Sequence, residues 1–437
     1  MKRLYFYIAI ILSPINVLSN VTCLNHQGES VDWWLIYQLP ETLSNTQKPG
    51  QYLYLDANSQ WFQHHDDINH QYSPLRQTVL QRPDPLSIFW VFNDQNTKQQ
   101  KSLKYEPPFR SLGKTFLQTL KQQIPEYNEY QEIRRLLRKH TLSDALTQKY
   151  KDSLDALGDT IIQHSDLPHS VWPTFLHEQN LTLHQAFHYG TLLTQPTPAH
   201  AKGIVHFHQD TGFWLNHSFP KYPYQPLNST DAKIERGQQK KGQHAFCMTL
   251  ATDQKANASQ ILSWIYPKIL EQTQPIAHSS LKITPDTYRQ FSLKTLGGTF
   301  IKVFAQSALM QLHPLSNQQG IWTNIIADEV SDNMLVESYR STLFKQAPIF
   351  DQTTTVHDHQ VDNVNGINIP EHPDWHWDMS QNEAWPKDHA KWGIAINKPI
   401  SCFGDLNRQA SQNKRGGAFF CIDNIQVHKN LKNIIDI

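Results

Sequence analysis

The chain has 437 residues, 39% of them hydrophobic, enough for a large core and for one big domain or two. With 39 basic and 39 acidic side chains the formal net charge at pH 7 is zero, which argues against a protein that holds nucleic acid at neutrality, and no run resembles collagen or a coiled coil. The 23 histidines change this in acid: most exposed imidazoles charge below their ordinary value of about 6.5, and a polyanion partner then becomes favourable.

In chain order, "MKRLYFYIAIILSPINVLSN" opens with Lys2 and Arg3, continues into an apolar stretch from Leu4 to Leu12, and ends in small residues. This is the order of a signal peptide over 1–19, too short to span a bilayer. It implies export, to a periplasm, the exterior or an acidic lumen. No later stretch reaches the ~18 uninterrupted apolar residues of a membrane anchor. Segments 31–37, 51–56 and 87–92 are aromatic and β-branched and predict strands. Residues 97–180 carry apolar residues at helical spacing, as a helical segment set into a strand-rich frame. Strands return at "GIVHFH" and "TGFWLNHSF". Segment 257–272 reads as helical, with Pro267 a kink or break. Segments 298–306 and 320–327 predict strands, 351–385 is irregular, and "WGIAI" and "GAFFCI" predict strands again, with a loop containing Cys402 between them. The mixture is α/β or α+β.

The same tripeptide, His-Ala-Lys, occurs at His200–Lys202 and at His389–Lys391, each time entering an apolar run. On a strand, residues two apart share a face, so each imidazole would project beside its ammonium toward one anion. A polar group follows each motif at a similar distance: His217 lies fifteen positions past Lys202, and Asn407 sixteen past Lys391. Matching parts in two halves suggest an internal repeat. Two such motifs suit metal-free phosphodiester cleavage. One histidine attacks phosphorus, the other protonates the leaving oxygen, and the lysines neutralise the phosphate. The two imidazoles must then differ in pKa.

Other features have blander readings. The four cysteines, Cys23, Cys247, Cys402 and Cys421, suggest two disulfides in an exported chain, with three pairings open. The clusters "HHDD" at 64–67 and "VHDHQVD" at 356–362 lack metal-site spacing and read as solvated loops, so no metal is assigned. "HPDWHWD" at 372–378 reads as packing, and Lys414–Arg415 as a turn able to touch phosphate. Asn-x-Ser/Thr sequons occur at Asn20, Asn180, Asn216, Asn228 and Asn257.

The blocks "VDWWLIYQLP", "YLYLD", "FNDQ", "AHAKGIVHFHQDTGFWLNHSFPKYP", "DHAKWGIAI" and "CFGDLNRQASQNKRGGAFFC" resemble deoxyribonuclease II, in family order from about residue 23 to 421. That family is similar to the phospholipase D superfamily. The resemblance implies an α/β fold of two phospholipase D-like halves, pseudo-twofold, meeting at one active site. The halves would span 20–250 and 251–437, with the helical insertion at about 97–195. It implies an exported acid endodeoxyribonuclease, with DNA as substrate and no cofactor. Cleavage would need no metal, would pass through a phosphohistidine and would leave 3′-phosphate ends. His200, Lys202, His389 and Lys391 would be catalytic, His217 and Asn407 substrate-binding, and the disulfides Cys23–Cys247 and Cys402–Cys421. The chain departs from the pattern in three ways. Phe207 and Ile396 stand where the superfamily has an Asp, leaving the histidines without an assigned orienting group. The insertion is long, and covering the groove, forming a homodimer or neither remain open to it. A third family disulfide is missing. The rival readings are another exported phospholipase D-like phosphodiesterase and a non-catalytic DNA-binding relative.

Overall fold

A computed structural model of the chain describes residues 20–41, 48–81, 83–84, 86–94, 199–222, 232–274, 276, 288–307, 320–339, 359–370, 376–378, 388–408, 412 and 415–436. The segment 1–19, the insertion at 97–195 and Lys414 lie outside these residues.

The described residues form an eight-stranded and a seven-stranded sheet with few helices, a mixed α/β architecture. Ten strands position the site and are numbered in chain order. In the first sheet these are β1 (Trp33–Gln38), β2 (Ile88–Phe92), β3 (Gly203–His208), β4 (Thr211–His217) and β5 (Gln243–Ala251). In the second they are β6 (Phe300–Gln306), β7 (Met334–Ser338), β8 (Lys391–Ala395), β9 (Ile400–Gly404) and β10 (Gly417–Asp423). The first sheet runs β2-β3-β4-β5-β1 and the second β7-β8-β9-β10-β6, with every neighbouring pair antiparallel. A helix follows the fifth strand of each set, Lys255–Ile265 after β5 and Ile425–Ile434 after β10.

Both faces of each sheet are apolar, because each is covered. Along β1, Trp33, Leu35 and Tyr37 point to the cluster shared by the two sheets, while Trp34 and Ile36 point outward to a second cluster. The sheets meet directly where Trp214 of β4 lies against Phe420 of β10, ring centroids 5.1 Å apart, and Phe246 of β5 against Phe403 of β9, 5.0 Å apart. Aromatic pairs at this spacing add to the area they bury.

Three expectations need correction. Segment 320–327 is helical: a π turn over Trp322–Ile326 continues into the helix Ala327–Val330. Its buried residues Trp322, Ile326 and Val330 fall four apart and pack on the outer face of the second sheet, with Trp322 4.4 Å from Phe419 between centroids. A Cβ on Gly393 would lie 2.7 Å from the Trp322 ring, so glycine permits that approach. Segment 257–272 is helical only to Ile265; left-handed Tyr266 ends the helix before Pro267, and Ile269–Gln272 pairs with β2. The segment containing Cys402, expected as a loop, is strand β9, held between β8 and β10, and strands β5 and β7 and the helix Ile425–Ile434 come in addition to the predicted elements.

The disulfides pair as the resemblance implied, Cys23 with Cys247 and Cys402 with Cys421. The second joins facing residues of β9 and β10, and the first closes a separation of 224 residues. Replacing each pair by serine should destabilise the fold by about 3 kcal/mol for the short loop and nearer 5 for the long one, because the longer closure removes more unfolded-chain entropy. Non-reducing urea unfolding of the two double variants checks the order.

Candidate active site

Each His-x-Lys motif leads into a strand of one sheet, while the backbone of its histidine bonds to the other. The N–H of His200 donates to the carbonyl of Gly416 at 2.7 Å, and the N–H of His389 donates to the carbonyl of Gly242, also at 2.7 Å. Each histidine is therefore tied to the glycine that leads into a strand of the opposite sheet, β10 for His200 and β5 for His389. The chain before those glycines is itself repeated, as "QQKKGQHAFC" and "QNKRGGAFFC". A buried glutamine holds each loop. Gln38, at the end of β1, donates to the carbonyls of Gln238 (2.8 Å) and Lys241 (2.5 Å). Gln306, at the end of β6, donates to those of Gln412 (2.9 Å) and Arg415 (2.7 Å).

The lysines lie deeper than the histidines. Lys202 and Lys391 are each 3% exposed, and each ammonium donates to the carbonyl of its own motif's histidine, at 3.4 and 2.6 Å. The side chains share a side as the i, i+2 spacing predicts: Lys202 Nζ is 3.5 Å from His200 Nε2. The motifs also act on one another. Burial, Lys202 and then Lys391 hold His200 well below its ordinary value, with Asp94 opposing. Burial, Lys391, Lys241 and Lys202 lower His389 to about 3. Burial and the charge of Lys202 lower Lys391 to about 7, against Asp94, Asp405 and Asp388. The two motifs thus form one electropositive cluster.

A buried hydrogen-bonded chain joins the motif backbones. The N–H of Lys391 donates to His244 Nδ1 at 3.1 Å, which places the imidazole proton on Nε2. That nitrogen donates to Asn216 Oδ1 at 3.3 Å, and Asn216 Nδ2 donates to Asp405 Oδ1 at 2.9 Å. Asp405 Oδ1 also accepts from the N–H of Lys202 at 3.4 Å, and Oδ2 from that of Ala418 at 2.9 Å. The carbonyl of Asp405 lies 2.5 Å from His200 Nδ1, so that nitrogen bears the proton and a neutral ring keeps its lone pair on Nε2. Burial lifts the Asp405 carboxyl to about 6, against its N–H donors and Lys202.

Two further acids serve the lysines. Asp94, just past β2, bonds Lys202 Nζ at 2.9 Å and sets its other oxygen 3.4 Å from both His200 Nε2 and Arg415. Burial alone would raise it, yet Lys202, His200 and Arg415 hold it well below the usual carboxylate range. Asp388 accepts from the N–H of Ala390 at 2.8 Å and from the hydroxyl of Tyr37. It also lies against Gly242, where a Cβ would stand 2.3 Å from its carboxylate. The His389 ring stacks on Tyr339, with centroids 4.3 Å apart.

His217 and Asn407 are placed differently from the motifs. His217 is 1% exposed, packs against Phe219 and Tyr222, has neither ring nitrogen hydrogen-bonded, and is lowered by burial to about 3. Asn407 is half-buried, with Oδ1 unpaired among the described residues and outside the chain from Lys202 to Lys391. Residue counting set them as counterparts, but β8 and β9 have five residues each where β3 and β4 have six and seven, so in register Gly404 faces Lys391 as His217 faces Lys202. Asp94, Asp405 and Asn216 lie in the blocks FNDQ, GDLN and LNHS without a role assigned to them there, and His244 lies in none; the repeated basic loop, two residues before His244, is the signal that points to it. Phe207 is core and Ile396 bonds Asn333 through its backbone. Arg415 joins the site, whereas the sequon at Asn216 is buried. Among the described residues no group of three or more His, Cys, Asp or Glu is arranged to hold a metal ion.

The sequence profile described as Deoxyribonuclease II matches residues 22–119 and 143–437. The chain belongs to the deoxyribonuclease II family. It is similar to cell-death-related nuclease 7 of Caenorhabditis elegans, 24% identical over 97% of this chain and 88% of that one. It is also similar to deoxyribonuclease-2-beta of Mus musculus, 23% identical over 96% and 92%. A putative deoxyribonuclease-2 of Burkholderia pseudomallei strain 1710b is 26% identical over 54% of this chain and 64% of its own. As a member of the deoxyribonuclease II family the chain is a deoxyribonuclease, a phosphodiester hydrolase.

Asp405 gives a pH test. Its folded pKa, about 6, lies above its ordinary value, so its contribution to stability is complete in acid and is lost as pH rises through about 6. Asp405→Asn should therefore lower the thermal midpoint more at pH 4 than at pH 7.5; an equal or reversed difference in thermal unfolding would count against this.

Proposed function

We propose that the chain is an exported acid endonuclease that cuts DNA without metal through a phosphohistidine. The observation that carries this is the convergence of both His-x-Lys motifs on one cluster, linked by hydrogen bonds from Lys202 to Lys391. The halves, roughly 20–250 and 251–437, are read as repeats of one phospholipase D-like unit, on the shared strand order and crossed backbone bonds. The disulfides suit an oxidising compartment such as a periplasm, the exterior or an acidic lumen.

His200 is the nucleophile in this scheme. Its Nδ1–H is fixed on the Asp405 carbonyl and its surroundings keep the ring neutral, so the Nε2 lone pair is available to phosphorus. The N–P bond forms as the P–O5′ bond breaks, and His389 gives its proton to O5′, leaving a 5′-hydroxyl. His389, now neutral, takes a proton from water as that water attacks phosphorus. The P–N bond breaks, leaving a 3′-phosphate and restoring both histidines. Lys202 and Lys391 neutralise the non-bridging oxygens. Asn407 is assigned to the phosphate rim. His217 is assigned to support the phosphate site from beneath, because it is enclosed.

Burial and the surrounding lysines set His389 at about 3, too low for an acid at pH 5. The diester must therefore raise it by placing negative charge among the cations that depress it. Lys391, at about 7, must in turn keep its proton. Both requirements push activity toward acid. Plasmid cleavage in EDTA should persist at pH 5 and fall steadily above about pH 7; activity rising to pH 9 would contradict the scheme. His389→Ala should lower the rate at least about a thousandfold, as loss of a group essential to both steps does, with the thermal midpoint kept. Full nicking by that folded variant would remove His389 from the mechanism. End-group analysis should find 3′-phosphate; 5′-phosphate ends would reverse the polarity of attack.

A further inference from the structure

The basic loops before Gly242 and Gly416 have no part in the scheme above. They occupy the same place in the two sheets, carry the same Gln-x-Lys-Lys/Arg-Gly sequence, and are each fixed by a buried glutamine on two of their carbonyls. Their placement is crossed. The loop of the first sheet accepts the N–H of His389, and the loop of the second accepts that of His200, each at 2.7 Å. The last cation of each loop adjoins that bond in sequence: Lys241 before Gly242, Arg415 before Gly416.

The cations bear on the same histidines. Asp94 Oδ2 lies 3.4 Å from both Arg415 Nη2 and His200 Nε2, so guanidinium and imidazole converge on one anionic oxygen. Lys241 acts on His389 in the same sense, as one of the charges that depress it. The neighbouring Lys240 is different: it is 41% exposed and held by both carboxylate oxygens of Glu41 at 3.0 Å.

We propose that Lys241 and Arg415 are a crossed pair of phosphate-binding residues that grip the DNA backbone at and beside the bond being cut, each loop serving the histidine of the opposite half. This rests on the hydrolytic reading of the site and adds its polyanion contacts. One cation on either side of two histidines lets a strand be held on both sides of the scissile phosphate. A guanidinium can take two oxygens of one phosphate at once, and an ammonium acts as a compact charge. Neither reads a base, so the grip is indifferent to sequence.

The test is equilibrium binding of a fluorescent duplex oligonucleotide at pH 5, by anisotropy, over about 50 to 200 mM salt. A His389→Ala background prevents cutting. Lys241→Gln and Arg415→Gln should each lower the slope of log affinity against log salt by about 0.9, and the double variant by about 1.8. Lys241→Arg and Arg415→Lys should restore it, and Lys240→Gln should leave it unchanged. Should Arg415→Gln unfold through an unpaired Asp94, Asp94→Asn/Arg415→Gln takes its place. Folded variants with the parental slope overturn the proposal, as does a change in only one of the two or failure of the background protein to bind. Binding with these slopes, together with a wild type that does not cut, would sink the hydrolytic reading and leave the grip standing.

Discussion

One carboxylate organises the site. Asp405 belongs to the second sheet, yet its oxygens receive Asn216 and the backbone of Lys202 from the first, and its carbonyl receives the imidazole of His200. A buried acid is costly unless its acceptors are filled, and these are filled from both sheets. The consequence is geometric. Neither sheet can slide on the other without stranding Asp405, so the two motifs are held at fixed separation by the need to satisfy one buried group. Asn216 and His244 extend the same constraint to the backbone of Lys391.

Around that link the electrostatics are lopsided. The lysines are buried and the histidines sit nearer the surface, so the positive charge lies beneath the groups proposed to react. Asp94 compensates the first lysine at contact distance, whereas Asp388 bonds Tyr37 and the backbone and acts on Lys391 by its charge. Two motifs of identical sequence thus sit in unlike fields. The proposed scheme needs such a difference, with one imidazole to attack and the other to donate.

The legible parts of the chain were those with a local cause. Aromatic and β-branched runs at 31–37, 87–92 and 203–208 form strands because both faces are buried and nothing in them competes with extension. The run at 320–327 is equally apolar but helical, since a short buried run carries no period of its own and the face it covers decides. At the site, His200, Lys202, His389 and Lys391 were visible through repetition. Asn407 stands sixteen residues past Lys391, but counting cannot detect that β8 and β9 are shorter than β3 and β4, which in register puts Gly404 opposite Lys391.

By itself the sequence determined the residue types, the duplicated His-Ala-Lys, the strand periodicity beside each copy, and the cysteines able to pair. These depend on side-chain chemistry and on spacings of two residues. Tertiary structure decided which distant groups meet: Asp94 with Lys202, Asp405 with His200, His244 with Lys391, and each basic loop with the other sheet's histidine. Such contacts span up to 216 residues, from His200 to Gly416, and follow from how two sheets stack, which no local window contains. The histidines' missing orienting group shows the difference. Chain position after Lys202 and Lys391 holds Phe207 and Ile396, but the fold brings His200 to a backbone carbonyl and an aspartate from elsewhere, and lays His389 on Tyr339.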